Sequence, residues 1–578
     1  MTSSTSIPAP AASPTADAAK GRRAAIIALA LVLALYAVFI ATHMGAYAGG
    51  SDSSGYMNSA LLFDRGVIST DQRTIPGLDP GTLPARIYTP LGFDARANGR
   101  MVPTYSTGLP LVMTAISRIT GWNAAPGVTM FLFSLAGIAV TGWFARTWGL
   151  DWKWTLLAVL LVALSPLYLM YSMQLMSDLP AMVFTTAALT MAWKSRSRTG
   201  WAAGAGVAFA GAVLTRHTNT LLLPALALCF GVSWRRWAAF ALAGLPGGAF
   251  YCLYNHANYG HYFSTGYTQV GEMLSAEWLA PSLRLYLWGL PLLLTPLVFL
   301  AAGLPFLLRK EPLRASALVA WIVCLLGFYS FYRCTHETLW YLRFVMPVFP
   351  ALAIGAMMVL RDAFETQTAR RCFEWLAGTF RAKIPPLLIL GWALMILAAI
   401  YVYRNSKYEP RITRYLLLAI PLVCAVAMHR IRAGFGGDPA KASRATAAAF
   451  LVALVCAGDL ACNVKLMWFR VGEGEVQYPG AGAWARENLP PNAVIYSMQT
   501  SGALFCYTPF TLVRWDFVTR DVQAGIEKAC AASGRPVYAM LFPEEIQPVQ
   551  DIPATGRWTR VATLELITCW RFDPGQKP

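Results

Sequence analysis

The sequence predicts a polytopic α-helical membrane protein with about 13 transmembrane helices and a small C-terminal periplasmic α/β domain. Three observations predict it. The chain of 578 residues is 56% hydrophobic and only 13% charged, where a soluble domain carries about 25% charged residues. Apolar runs of about 17–25 residues recur along most of its length, long enough to cross a bilayer. Basic residues gather in alternate gaps between those runs, as expected of cytoplasmic loops. An open sheet is excluded within the bilayer, because lipid cannot satisfy its edge groups. The net charge of +18 therefore reads as loop charge, and no nucleic-acid partner is expected.

The elements follow in order. Residues 1–23 read as a disordered cytoplasmic tail, since Met1 to Lys20 is rich in Ser, Ala, Pro and Thr. The first apolar run, near 24–43, exceeds the signal-peptide core of about 7–15 residues and reads as a retained helix, although Ala46-Tyr47-Ala48 resembles a cleavage site. A first outer loop spans 44–125. Further spans are expected near 126–145, 154–172, 179–194, 201–214, 219–233, 237–254, 287–308, 314–332, 345–360, 386–403, 415–429 and 446–466. The 201–214 and 219–233 pair is short for full crossings. The transmembrane module is thus 24–468. An odd number of spans with a cytoplasmic N-terminus puts the C-terminus outside.

Residues 469–578 have a soluble composition. Ala493–Ser497 and Pro536–Phe542 read as buried strands, with helices at Gly480–Asn488 and Arg520–Ser533. This region has no Gly-rich phosphate loop. The 11 cysteines include no CxxC pair, so zinc and redox motifs are unsupported. Cys506, Cys530 and Cys569 leave one disulfide open.

Five clusters on the outer face could carry chemistry. Asp52 lies in Gly49-Gly50-Ser51-Asp52-Ser53, with Tyr56 beyond it, and reads either as the N-cap of a helix starting near Tyr56 or as a functional carboxylate. Tyr56, Ala60 and Phe63 share one face, suited to a helix along the membrane surface. Asp178, in Ser177-Asp178-Leu179-Pro180, has the same two readings. Arg216 lies between two short apolar helices, where a lipid-facing cation is the plainer reading. Asn255 to Tyr267, including His256 and His261, reads as an interfacial aromatic belt or a binding loop; the two histidines could ligate a metal, but their spacing is not diagnostic. The stretch Arg333 to Arg343 holds His336 and Tyr341, and a cation there suits a lipid phosphate. Pro103 to Pro110, with Tyr105, belongs to the same face.

Together these residues resemble the membrane glycosyltransferases of the GT-C superfamily, closest to bacterial members related to protein O-mannosyltransferases and lipid A aminoarabinose transferases. The resemblance rests on Asp52 with Tyr56 after the first span, the Ser177-Asp178-Leu179-Pro180 turn, Thr215-Arg216, the Tyr259-Gly260 to Gly266-Tyr267 loop, and Arg343 before a proline-containing span. It covers roughly the first 360 residues; later spans match only in layout. One position departs from the pattern: many members carry a second acidic residue where this chain has Ser53. A role needing paired carboxylates at that point, metal binding included, is therefore not implied, and a divalent metal stays open as a cofactor.

The resemblance implies a polyprenyl-phosphate-linked sugar donor and an envelope glycan, lipid or protein as acceptor. It implies Asp52 as general base and Asp178 as a second catalytic carboxylate. Arg216, Arg343, His336 and Tyr341 would bind the donor phosphate, and Tyr56, Tyr105, His261 and Tyr267 the substrates. The location implied is the bacterial inner membrane, with the lipid bilayer as partner. A lipid or solute transporter is the rival, and it predicts ionisable residues within the spans. A non-enzymatic scaffold is the third reading, and it leaves the long first outer loop without a role.

Overall fold

The computed structural model describes residues 16–78, 81, 83–267, 270–365 and 455–575, with single positions at 393, 396, 397, 400, 401 and 404. The span expected at 415–429, most of 386–403 and the first part of 446–466 lie outside the described residues.

The described chain is mostly helical. Five helices are long and apolar enough to cross a membrane, or up to seven if two bent pairs each count as one span. Helix α1 (Ala16–His43) is followed by α2 (Ser51–Asp64). A three-stranded antiparallel sheet comes next, ordered β1-β3-β2, from β1 (Thr70–Asp71), β2 (Phe93–Ala95) and β3 (Arg100–Pro103). Helix α3 (Gly108–Thr120) ends at Gly121, whose φ of 74° stops the helix. Helix α4 (Ala125–Thr147) starts with Pro126 in its first turn, where the missing N–H costs nothing.

The run expected as one span over 154–172 is bent by 63° between α5 (Trp152–Leu164) and α6 (Pro166–Ser172). Ser165 precedes a proline, which disfavours helical backbone, and it is extended (φ −60°, ψ 136°). Helices α7 (Asp178–Lys194), α8 (Gly200–Thr215), α9 (Leu223–Phe230) and α10 (Trp234–Tyr259) follow. Helix α7 packs against α4, α8 and α9 and is buried along most of its length.

A second bend, of 115°, divides the run expected over 287–308. It separates α11 (Leu279–Leu293) from the tight helical segment Pro296–Arg309, and Thr295 before the proline is again extended. Helix α12 (Pro312–Ser330) leads to a tight segment, Leu339–Val348, that runs into α13 (Phe349–Glu365). Residues 455–465 are helical.

Helix α14 (Val471–Asn488) leads into a five-stranded mixed sheet ordered β5-β4-β6-β8-β7. Strands β4 (Val494–Tyr496), β5 (Thr511–Val513) and β6 (Val537–Leu541) are parallel and mainly apolar. That composition fits strands covered on both faces. Strands β7 (Gly556–Leu564) and β8 (Ile567–Pro574) close one edge as an antiparallel pair. Helices α15 (Ser501–Tyr507), α16 (Arg520–Ser533) and α17 (Pro543–Gln550) connect the strands. Cys506, Cys530 and Cys569 are free thiols.

This C-terminal region grips the segment between α1 and α4. The Arg73 guanidinium donates to the carbonyls of Phe505, Thr508 and Phe510. Asn58 donates to the Gly502 carbonyl, and Ile87 and Tyr88 lie in one apolar cluster with Val494 and Tyr496.

Candidate active site

Asp52 sits in the first turn of α2, because the helix begins at Ser51 rather than near Tyr56. Gly50 occupies the cap position and no side chain caps the helix. The cap reading of Asp52 is thereby corrected: its Oδ2 faces the Arg343 guanidinium at 2.5 Å. Asp178 follows the same logic. It is the first residue of α7, makes no side-chain cap bond, and pairs with Arg216 at 2.9 Å. Arg216 comes from the break after α8, where an extended backbone (φ −151°, ψ 117°) turns its side chain out of helical register. Arg343 comes from Leu339–Val348.

The two ion pairs form one constellation. The Tyr56 hydroxyl and Ser177 Oγ are hydrogen-bonded at 2.7 Å, and Arg216 Nε reaches the same Oγ at 3.5 Å. The Phe344 ring lies 5.0 Å from the Arg216 guanidinium and 5.4 Å from that of Arg343, so one aromatic ring neighbours both cations. Tyr341 stacks on Phe344 and lies 5.9 Å from the Arg343 guanidinium. Tyr105 bonds Ser51 Oγ through its hydroxyl at 2.6 Å, and its ring packs on Tyr56 and Tyr267.

Burial separates the two acids. The Asp178 side chain is 1% exposed and that of Asp52 is 21% exposed. Asp178 therefore fixes a neighbouring cation, while Asp52 remains reachable from outside. Arg216 also borders a cavity of about 70 Å³ with Tyr329 and Phe344. A larger cavity of about 550 Å³ adjoins it, sharing His217, Thr218, Tyr267 and Phe328. The site thus offers one accessible carboxylate, two guanidiniums able to hold a phosphate, and aromatic walls.

Two expected residues stand outside this arrangement. His336 stacks on Trp278 at 4.9 Å, and His261 is exposed in the loop after α10. Among the described residues, no three His, Cys, Asp or Glu side chains group as metal ligands. Each site carboxylate already faces a guanidinium, so the residues here do not fit a bound cation.

One residue that sequence reasoning passed over adjoins both motifs. Glu475 of α14 accepts from Gln174 Nε2 at 3.3 Å, three residues before Ser177. Its carboxyl lies against Gly49, three residues before Asp52, and a methyl group there would overlap it. Burial pushes the Glu475 carboxyl up to about 7, partly offset by the Gln174 bond. Just beside this contact, Gly45 and Gly472 meet backbone to backbone. No local sequence signal marks Glu475, which stands in an ordinary polar helix.

No protein-family profile matches the sequence, and no curated protein does. The fold is similar to that of two crystal structures of ArnT from Cupriavidus metallidurans. The apo form matches with a TM-score of 0.58 and 16% identity, over 96% of this chain and 98% of that one. The form bound to undecaprenyl phosphate matches with a TM-score of 0.53 and 14% identity, over 94% of this chain and 97% of that one. The chain has a GT-C-like fold.

Proposed function

We propose that this protein is an integral-membrane glycosyltransferase that moves a sugar from a polyprenyl-phosphate-linked donor to an acceptor on the outer, periplasmic face of a bacterial inner membrane. The observation that carries the reading is the joined pair of ion pairs, Asp52–Arg343 and Asp178–Arg216. A GT-C-like fold, shared with a protein crystallised with undecaprenyl phosphate, supports it.

In this reading the carboxylates hold the arginines in place until the donor arrives. The donor phosphate then takes hydrogen bonds from Arg343 and Arg216, and Asp52 loosens from its partner. The acceptor hydroxyl attacks the anomeric carbon while Asp52 accepts its proton. The bond from that carbon to the phosphate oxygen breaks, and its electron pair leaves with the lipid phosphate. The arginines stabilise the charge that develops there. A single displacement inverts the anomeric centre. Asp178 keeps Arg216 oriented, and Tyr56, Tyr105 and Tyr267 line the sugar and acceptor side. Tyr341 flanks the phosphate, while His336 and His261 have no part in these steps. Residues 469–578 form the periplasmic domain.

Transport is the alternative, and one described residue favours it: Asp459, 3% exposed within an expected span. The two readings separate in proteoliposomes given a polyprenyl-phosphate sugar or a nucleotide sugar. The glycosyltransferase reading expects sugar transfer to an acceptor from the lipid-linked donor. Transfer from the nucleotide sugar without lipid carrier, or movement of donor across the bilayer with no transfer, contradicts it.

A further inference from the structure

At the end of the helical bundle away from Asp52, a cavity of about 450 Å³ opens beside the last turns of α4 and α7. Trp143, Arg146, Trp193, Lys194 and Arg196 line it. Helix α7 carries Asp178 in its first turn and Lys194 in its last. At 1.5 Å per residue, this cavity lies about 25 Å from the site described above.

Three cations border this space, and none meets a carboxylate among the described residues. Arg146 donates to the Leu150 carbonyl, and its guanidinium lies 4.6 Å from the Trp152 ring. The Lys194 ammonium lies 4.8 Å from the Trp201 ring and 5.9 Å from that of Trp143. Arg196 donates to the Cys229 carbonyl at 3.2 Å and lies 5.4 Å from the Trp193 ring. The acids near this end are engaged elsewhere. Asp151 caps α5 through the N–H groups of Lys153 and Trp154. Glu311 pairs with Arg314 and Arg361, and Asp362 with Lys310.

Aromatic faces and carbonyls hold these cations without neutralising them. Three positive groups around one cavity repel one another until an anion enters. Tryptophans at the ends of apolar helices mark the membrane boundary, where the most abundant anion is a lipid phosphate. The space is open on one side and, at about 450 Å³, has room for a lipid headgroup.

We propose that this cavity binds the headgroup of an anionic phospholipid. Lys194, Arg146 and Arg196 donate to its phosphodiester, the tryptophans frame the headgroup, and the acyl chains lie against the apolar surfaces of the adjoining helices. This site is independent of the sugar-transfer reading and faces the opposite leaflet.

The test is native mass spectrometry of the purified full chain after exchange into neutral detergent. The probes are phosphatidylglycerol, phosphatidylcholine and millimolar inorganic phosphate. Phosphatidylglycerol adducts are expected to persist, phosphatidylcholine adducts to be lost, and phosphate not to compete. Each basic residue near a charged bilayer surface contributes about fivefold in affinity, so Arg146→Gln with Lys194→Gln weakens phosphatidylglycerol binding about 30-fold. Lys194→Gln alone weakens it about fivefold, which covers the case where the double variant fails to fold. Lys194→Arg keeps binding. Arg557→Gln with Arg560→Gln, on exposed positions of β7, leaves it unchanged. Equal retention of both lipids, unchanged affinity in the Lys194→Gln variants, or displacement by inorganic phosphate overturns the proposal.

Discussion

Asp178 is 1% exposed, so its charge is tolerable only beside Arg216. Removing one partner of such a pair leaves an uncompensated buried charge and costs about 3–5 kcal/mol. Asp178→Asn is therefore expected to lower thermal stability markedly. Adding Arg216→Gln should recover part of the loss, because no lone charge then remains. Unfolding curves of the three proteins in one detergent check this, and an Asp178→Asn protein as stable as wild type contradicts it. Asp52 is the more exposed of the two acids, while Arg343 is about as buried as Arg216, so the loss at Asp52 is the smaller one. Both acids were legible in the sequence, because each follows an apolar run on the less basic side. Their partners were legible only as separate clusters. Asp52 and Arg343 stand 291 positions apart, and nothing local in either segment encodes that contact.

At the scale of elements, the position of α14 couples to pH. Glu475 is held against Gly49 and Gln174 with its carboxyl raised to about 7, above the usual glutamate range, by burial. The docked state therefore binds the Glu475 proton more tightly than the unfolded chain does. Its stabilising contribution is fully present below the ordinary glutamate pKa and is lost as pH rises through about 7. Wild type is expected to lose thermal stability between pH 5 and pH 8 relative to Glu475→Gln, which keeps an acceptor for Gln174 and cannot ionise. Parallel pH profiles for the two proteins contradict this. The bends at Ser165 and Thr295 belong to the same scale. Each precedes a proline inside an apolar run, but the sequence was read as one unbroken span at each place, because hydropathy windows average over the proline where the chain bends by 63° and 115°. Strands β7 and β8 were not legible, because neither holds a continuous apolar run and most of β7 is only partly covered or exposed.

For the molecule as a whole, alternating basic gaps predict a cytoplasmic N-terminus and an external C-terminus. Reporter fusions at Pro578 and near Gly434 should show opposite sidedness, and the same sidedness for both contradicts the assignment of the Asp52 cluster to the outer face. The GT-C-like fold was legible from the order and shared sidedness of weak motifs, none of them decisive alone. The clasp between the segment joining α1 to α4 and the C-terminal sheet was not, since its contacts join residues more than 400 positions apart. The central claim, that Asp52 is the catalytic base, is tested most directly by turnover of wild type and Asp52→Asn on a polyprenyl-phosphate sugar in the same proteoliposomes. Asp52 makes no cap bond, and asparagine caps as well as aspartate in any case. The exchange should therefore leave the fold intact while removing the proton acceptor. The expected result is a rate loss on the order of 10²–10⁴, with the protein still folded and with a smaller loss of thermal stability than in Asp178→Asn, since Asp52 is the more exposed acid. Turnover of Asp52→Asn within a few-fold of wild type contradicts the account.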